Sequence, residues 1–146
     1  MYKCKHYAPH ELVPKEVYEL FTNPDDIYSI FDENALRIID MIREWAGVAL
    51  IINNWFWEGQ RTESGFRVKN SKTGSTKSAH KLCKAFDIIS TKKTTQELWT
   101  IIEKNSSKLP CKIRIEKTSG GKMLTWLHID TNTLSTQKDI ICYFND

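Results

Sequence analysis

The 146-residue chain has no apolar stretch near the roughly 20 residues needed to cross a bilayer, so functions that require a membrane span are set aside. Its four cysteines, Cys4, Cys83, Cys111 and Cys142, form no CxxC pair. That spacing argues against zinc-finger and thioredoxin-type sites and suits free thiols in a reducing compartment. There is no internal repeat and no low-complexity linker. The length then fits one domain, residues 1–146, around a single core. The opening "MYKCKHYAPHELVP" lacks the apolar centre of a secretory leader, so synthesis in a cytoplasm is expected. Neither sign of charge dominates, the net value being +3. Lysines are denser in "RVKNSKTGSTKSAHKLCKAF", which reads as a solvated loop before it reads as a surface for an anionic polymer. No nucleic-acid motif accompanies it, so no specific nucleic-acid partner is expected.

Hydrophobic periodicity supplies the elements. "VPKEVYELF" reads as a short helix with Pro14 near its start. "DENALRIIDMIREWAG" is the strongest helix, with Leu36, Ile39, Ile42 and Trp45 three apart and Gly47 as terminator. "TTQELWTIIEKNSSKL" is a second helix with Thr94 or Thr95 as N-cap. The β-branched runs "VALIINN" and "KAFDIIS" read as strands. "CKIRIEK" and "MLTWLHIDT" flank a Gly-Gly turn and read as a hairpin, and "KDIICYF" as a last strand or short helix. The order lacks regular βαβ alternation, which predicts α+β with a mainly antiparallel sheet and flanking helices. "WFWEGQRTESGFRVKNSKTGSTKS" is a long loop, and loops of that length are usually functional or disordered.

Charged residues inside apolar strands carry the chemistry. Asp87 lies in "KAFDII", Glu116 in "KIRIEK", and His128 and Asp130 in "TWLHID". Buried charges are costly unless paired or metal-bound. His80, Asp87 and His128 together offer two imidazoles and a carboxylate, the donor set of a zinc site with one position left open. A hydrogen-bonded core histidine is the ordinary alternative for each imidazole.

The segment "SAHKLCKAFDI" resembles the S-x-H-x-x-G-x-A-x-D signature of the zinc D-alanyl-D-alanine carboxypeptidase family. That family includes vancomycin-resistance D,D-dipeptidases, phage L-alanyl-D-glutamate endolysins and, by fold, the hedgehog signalling domain. The resemblance implies zinc held by His80 and Asp87, with His128 of "WLHID" as third ligand and Glu116 as catalytic base. "SGFR", Ser64 to Arg67, is similar to the family's S-G-Y-R segment and makes Arg67 the candidate for binding a substrate carboxylate or the developing oxyanion, with Arg61 as competitor. Ser78 is the candidate for hydrogen-bonding the peptide terminus, and Asp130 for orienting His128 or replacing Glu116 as base. "YAPHELVPKEVYELF" and "LIINNW" look like the small, phage-encoded branch.

Three positions depart from the pattern. The family glycine is Cys83, Glu116 precedes His128 by more residues than usual, and Thr125 stands where some relatives carry their acidic base, a role threonine cannot fill. Trp55, Phe56, Trp57 and Trp126 are candidates for lining the groove or for stabilising the fold. A fourth, thiolate ligand from Cys83 would close the site and make it structural.

The resemblance implies a hedgehog/D,D-peptidase-like monomer, a zinc metallopeptidase hydrolysing peptidoglycan stem peptides or cross-links. It would be made in a host cytoplasm and act at the wall or on the virion. A different class of function also fits: a non-catalytic binding protein on the same fold, either a virion component or a protein that sequesters a host ligand. A Glu116 carboxylate within reach of the metal separates the two.

Overall fold

The computed structural model describes residues 1–75 and 77–146. Helix α1 is a single turn, Lys15–Tyr18, with Pro14 at its N-cap position instead of inside the helix. Helix α2 spans Glu33–Ala46 and ends at Gly47, whose φ of 67° is the left-handed conformation that stops a helix cheaply only at glycine. Its buried stripe includes Leu36, Ile39 and Ile42, while Trp45 is only partly buried. Helix α3 spans Thr95–Lys104, and the Thr94 hydroxyl accepts the Glu97 N–H as its cap.

Strands β1 (Ala85–Ile88), β2 (Ile113–Ser119), β3 (Lys122–Asp130) and β4 (Ile141–Asn145) form a four-stranded sheet in the order β1-β3-β2-β4. The fold is therefore α+β with a mixed sheet. β3 pairs antiparallel with β1 and with β2, whereas β4 runs parallel to β2. No crossover helix is needed for that parallel pair. β3 ends beside Arg114, β4 starts beside Ile113, and the chain between them turns at one end of the sheet.

"VALIINN" does not form the expected strand; it makes one isolated bridge, Ile51 to Ile89. Its next groups are taken by loops. The Asn53 N–H bonds Glu11 O, and the Asn53 side chain accepts the Ser64 N–H.

Alternation along the strands separates core from cleft. Phe86, Ile88, Ile113, Ile115, Leu127 and Ile129 enter the apolar cluster shared with α2 and α3. The alternating positions Asp87, Arg114, Glu116, His128 and Asp130 project to the other face, and all five line a single cleft. Among the described residues no helix is long and apolar enough to cross a membrane.

Candidate metal centre

His80 comes from the turn before β1, Asp87 from β1 and His128 from β3. Asp87 and His128 are direct register partners. All three are buried, at 2%, 8% and 7% exposure, and each offers a ligand atom within 4.8 Å of the others. This group could hold a metal ion.

Hydrogen bonding fixes the rings. His80 Nδ1 lies 2.8 Å from Gly65 O. A carbonyl only accepts, so Nδ1 carries the proton and the neutral ring keeps a lone pair on Nε2. That Nε2 is buried without a hydrogen-bond partner among the described residues, and it sits 3.2 Å from Asp87 Oδ1, off the line a hydrogen bond needs. His128 Nε2 donates to Asp130 Oδ2 at 2.9 Å, which leaves Nδ1 facing the same Asp87 Oδ1 at 2.8 Å. One carboxylate oxygen thus meets two imidazole nitrogens. Such a set of acceptors requires a cation among them, either a proton or a metal. The donor chemistry, two imidazole nitrogens and one carboxylate oxygen, fits zinc.

The charges follow the same logic. Burial works against ionisation of Asp87, but its interactions with the two neighbouring imidazoles, the hydrogen bond from His128 first, outweigh it and hold its carboxyl far below the usual range. Burial would lower the His128 pKa, but its bonds to Asp130 and Asp87 raise it to about 9. Burial raises the Glu116 carboxyl, opposed by the nearby His128. Asp130 is lowered: burial opposes the charge, and His128 and Arg114 prevail.

Glu116 is the register partner of His128, and its Oε2 lies 3.9 Å from His128 Nδ1. The extra sequence between them is absorbed in β3. Glu116 pairs with His128 but Thr118 pairs with Met123, so Lys117 alone stands opposite the segment from Leu124 to Leu127.

Arg67 and Arg61 take different places. Arg67 donates from Nη2 to Asp87 Oδ2 at 3.1 Å and from Nε to Glu63 O at 2.9 Å, and it lines the cleft. Arg61 is spent on backbone, with Nε on Ile52 O and Nη2 on Asp87 O. Ser78 also lines the cleft, and its hydroxyl accepts the His80 N–H at 3.3 Å. The cleft has a volume of about 420 Å³. Its loop wall carries Arg67, Lys77, Ser75 and Ser78, and its sheet wall carries Glu116, Trp126, Phe144 and Asp146.

Trp126 is the one predicted aromatic in the cleft lining. Trp55, Phe56 and Trp57 cluster instead with His10, whose ring stacks on Phe56 at 4.0 Å. Cys83 is outside the ligand group among the described residues. Its side chain packs against the core, and burial pushes the thiol up to about 11. Its φ is 59°, so this position has the left-handed backbone that glycine takes most easily.

Sequence reasoning missed Arg114 and Phe144. Alternation in "RIE" was the available signal, since it puts Arg114 on the face of Glu116. Comparison of the chain with protein-family models, curated proteins and solved structures gave no match.

Proposed function

We propose that the protein is a zinc-dependent peptidase acting on the stem peptides or cross-links of peptidoglycan, with the hedgehog/D,D-peptidase type of fold. The observation that carries the reading is the convergence of His80 Nε2 and His128 Nδ1 on Asp87 Oδ1, with the Glu116 carboxylate beside them in an open cleft. The resemblance of "SAHKLCKAFDI" and "WLHID" to the family motifs supplies the substrate class.

His80, Asp87 and His128 would hold the zinc. When bound, zinc supplies Lewis-acid polarisation of the scissile carbonyl and lowers the pKa of water toward about 7. Glu116 accepts a proton from the attacking water at a carboxylate oxygen and returns it to the leaving amine. Its raised pKa suits that exchange better than an ordinary exposed glutamate would. Arg67 donates to the Asp87 carboxylate and, with Ser78 and Lys77, gives the loop wall a donor-rich character suited to a substrate carboxylate. The opposite wall offers Trp126 and Phe144 as apolar surface for the peptide.

The test is metal analysis of the purified protein alongside digestion of purified peptidoglycan, with the released fragments identified by mass. Zinc with peptide-bond cleavage supports the enzyme. Zinc without cleavage returns the reading to a binding protein on this fold. Absence of bound metal after zinc loading would sink the peptidase and leave only a metal-free binding protein on this fold.

A further inference from the structure

We propose that Arg114 is a positioning residue: its guanidinium fork fixes the Asp130 carboxylate, which pins the His128 ring with Nδ1 turned to Asp87. The proposal rests on the metal-site reading of His128 for its functional meaning, but the lock itself is a matter of hydrogen-bond geometry.

Arg114 Nε donates to Asp130 Oδ1 at 2.8 Å and Nη2 donates to Oδ2 at 3.0 Å, a two-pronged contact. The two residues are register partners on β2 and β3, so the sheet ladder itself aligns them. Asp130 is 1% exposed. Its Oδ1 also accepts the Asn132 N–H at 3.0 Å, and its Oδ2 accepts His128 Nε2 at 2.9 Å. Both carboxylate oxygens are therefore committed to donors. Asp130 is held as an orienting anion and has little freedom to act as a base, which leaves that role to Glu116.

The clamp reaches a third strand. The Arg114 guanidinium lies 4.4 Å over the Phe144 ring, and the same ring meets His128 edge-on at 5.8 Å. Phe144 is delivered by the parallel pairing of β4 with β2, opposite Glu116. Three strands thus hold one imidazole. Partners of this kind behind a ligand histidine set its tautomer and are typically worth about 10–100-fold in metal affinity.

A plain structural ion pair would predict only a loss of stability, so the test reads the ring. Arg114→Gln and Arg114→Lys are prepared in the full chain. Zinc affinity is measured by competition with a chromophoric chelator. Exchange of the His128 Nε2 proton with water is followed by ¹⁵N-edited NMR in zinc-loaded and metal-free protein, and thermal melting checks the fold.

Arg114→Gln should weaken zinc binding by about 10–100-fold and speed exchange of that proton in both states. Arg114→Lys should restore the melting temperature but not the affinity or the slow exchange, because an ammonium cannot fork. Wild-type affinity and exchange in either folded variant would overturn the proposal. Should Arg114→Gln not fold, Arg114→Lys decides alone. If the wild type takes up no zinc, the functional reading fails by itself, and proton exchange in the metal-free chain still decides whether the lock exists.

Discussion

Glu116 and His128 stand directly opposite each other across β2 and β3, with a Glu116 carboxylate oxygen 3.9 Å from His128 Nδ1. The chain between them runs out to the Gly120–Gly121 turn and returns with extra residues gathered opposite Lys117. That irregularity puts the acid and the imidazole on one face. A register differing by one residue would send Glu116 to the core side.

Glu116→Gln should therefore keep the fold and the zinc while losing hydrolysis by about 10²–10⁴-fold, the usual scale of general acid–base catalysis. Gln preserves the shape and can still hydrogen-bond water, but it cannot take the proton. Single-turnover rates on a defined stem peptide, with zinc content measured on the same sample, provide the check. Hydrolysis at the wild-type rate would remove Glu116 from the mechanism.

Arg61 and Arg67 should separate cleanly. Arg61 ties Ile52 O and Asp87 O together from a half-buried position, so Arg61→Ala should cost about 1–3 kcal/mol of stability by leaving those carbonyls unmet. Arg67 contacts the Asp87 carboxylate in the cleft. Arg67→Lys should weaken substrate binding by about 1.5–3 kcal/mol, since lysine lacks the planar fork. Urea titration and substrate affinity, measured on both variants, distinguish the two roles. The same stability loss with unchanged affinity in both would make Arg67 another scaffold residue.

Cys83 occupies a left-handed backbone position with φ 59°. A side chain there costs about 1–2 kcal/mol, and glycine returns about 0.4–1 kcal/mol of that through the freedom of the unfolded chain. Cys83→Gly should be more stable than Cys83→Ala by roughly 0.5 kcal/mol. Cys83→Ala should be less stable than wild type, because it keeps the strain and gives up the thiol's contact with the core. Urea midpoints for the three proteins test the order, and a Cys83→Gly midpoint below that of Cys83→Ala would contradict the strain argument.

The metal-free protein should carry a stability profile set by His128. Its pKa rises from an ordinary 6.5 to about 9 in the fold, against the effect of burial, through Asp130 and Asp87. Folding therefore favours the protonated ring. The contribution is complete below pH 6.5 and is lost as pH climbs through about 9. Melting temperature measured in chelator should fall across that window, and His128→Gln should flatten the fall. A profile in wild type that is level from pH 6.5 to 9 would show that the ring is not held as a cation between the two acids.

By itself the sequence determined what short-range physics can carry. The three-residue spacing in α2, the Gly47 stop and the Thr94 cap are written locally, because a helix closes its hydrogen bonds within a few residues. The Gly-Gly turn announced the β2–β3 hairpin in the same way. The ligand candidates were legible because charged and imidazole side chains inside apolar runs demand partners, and "SAHKLCKAFD" spaces two of them around a turn into a strand.

Tertiary structure alone decided the rest. The residues opposite Lys117, the parallel placement of β4, the demotion of "VALIINN" to one bridge and the diversion of Arg61 to backbone carbonyls are all contests among distant partners. The Arg114 fork on Asp130 belongs with them. Each depends on which strand edge or carbonyl lies nearest once the apolar faces have packed. Side chains far apart in the chain acquire that proximity only when burial of the core sets the register.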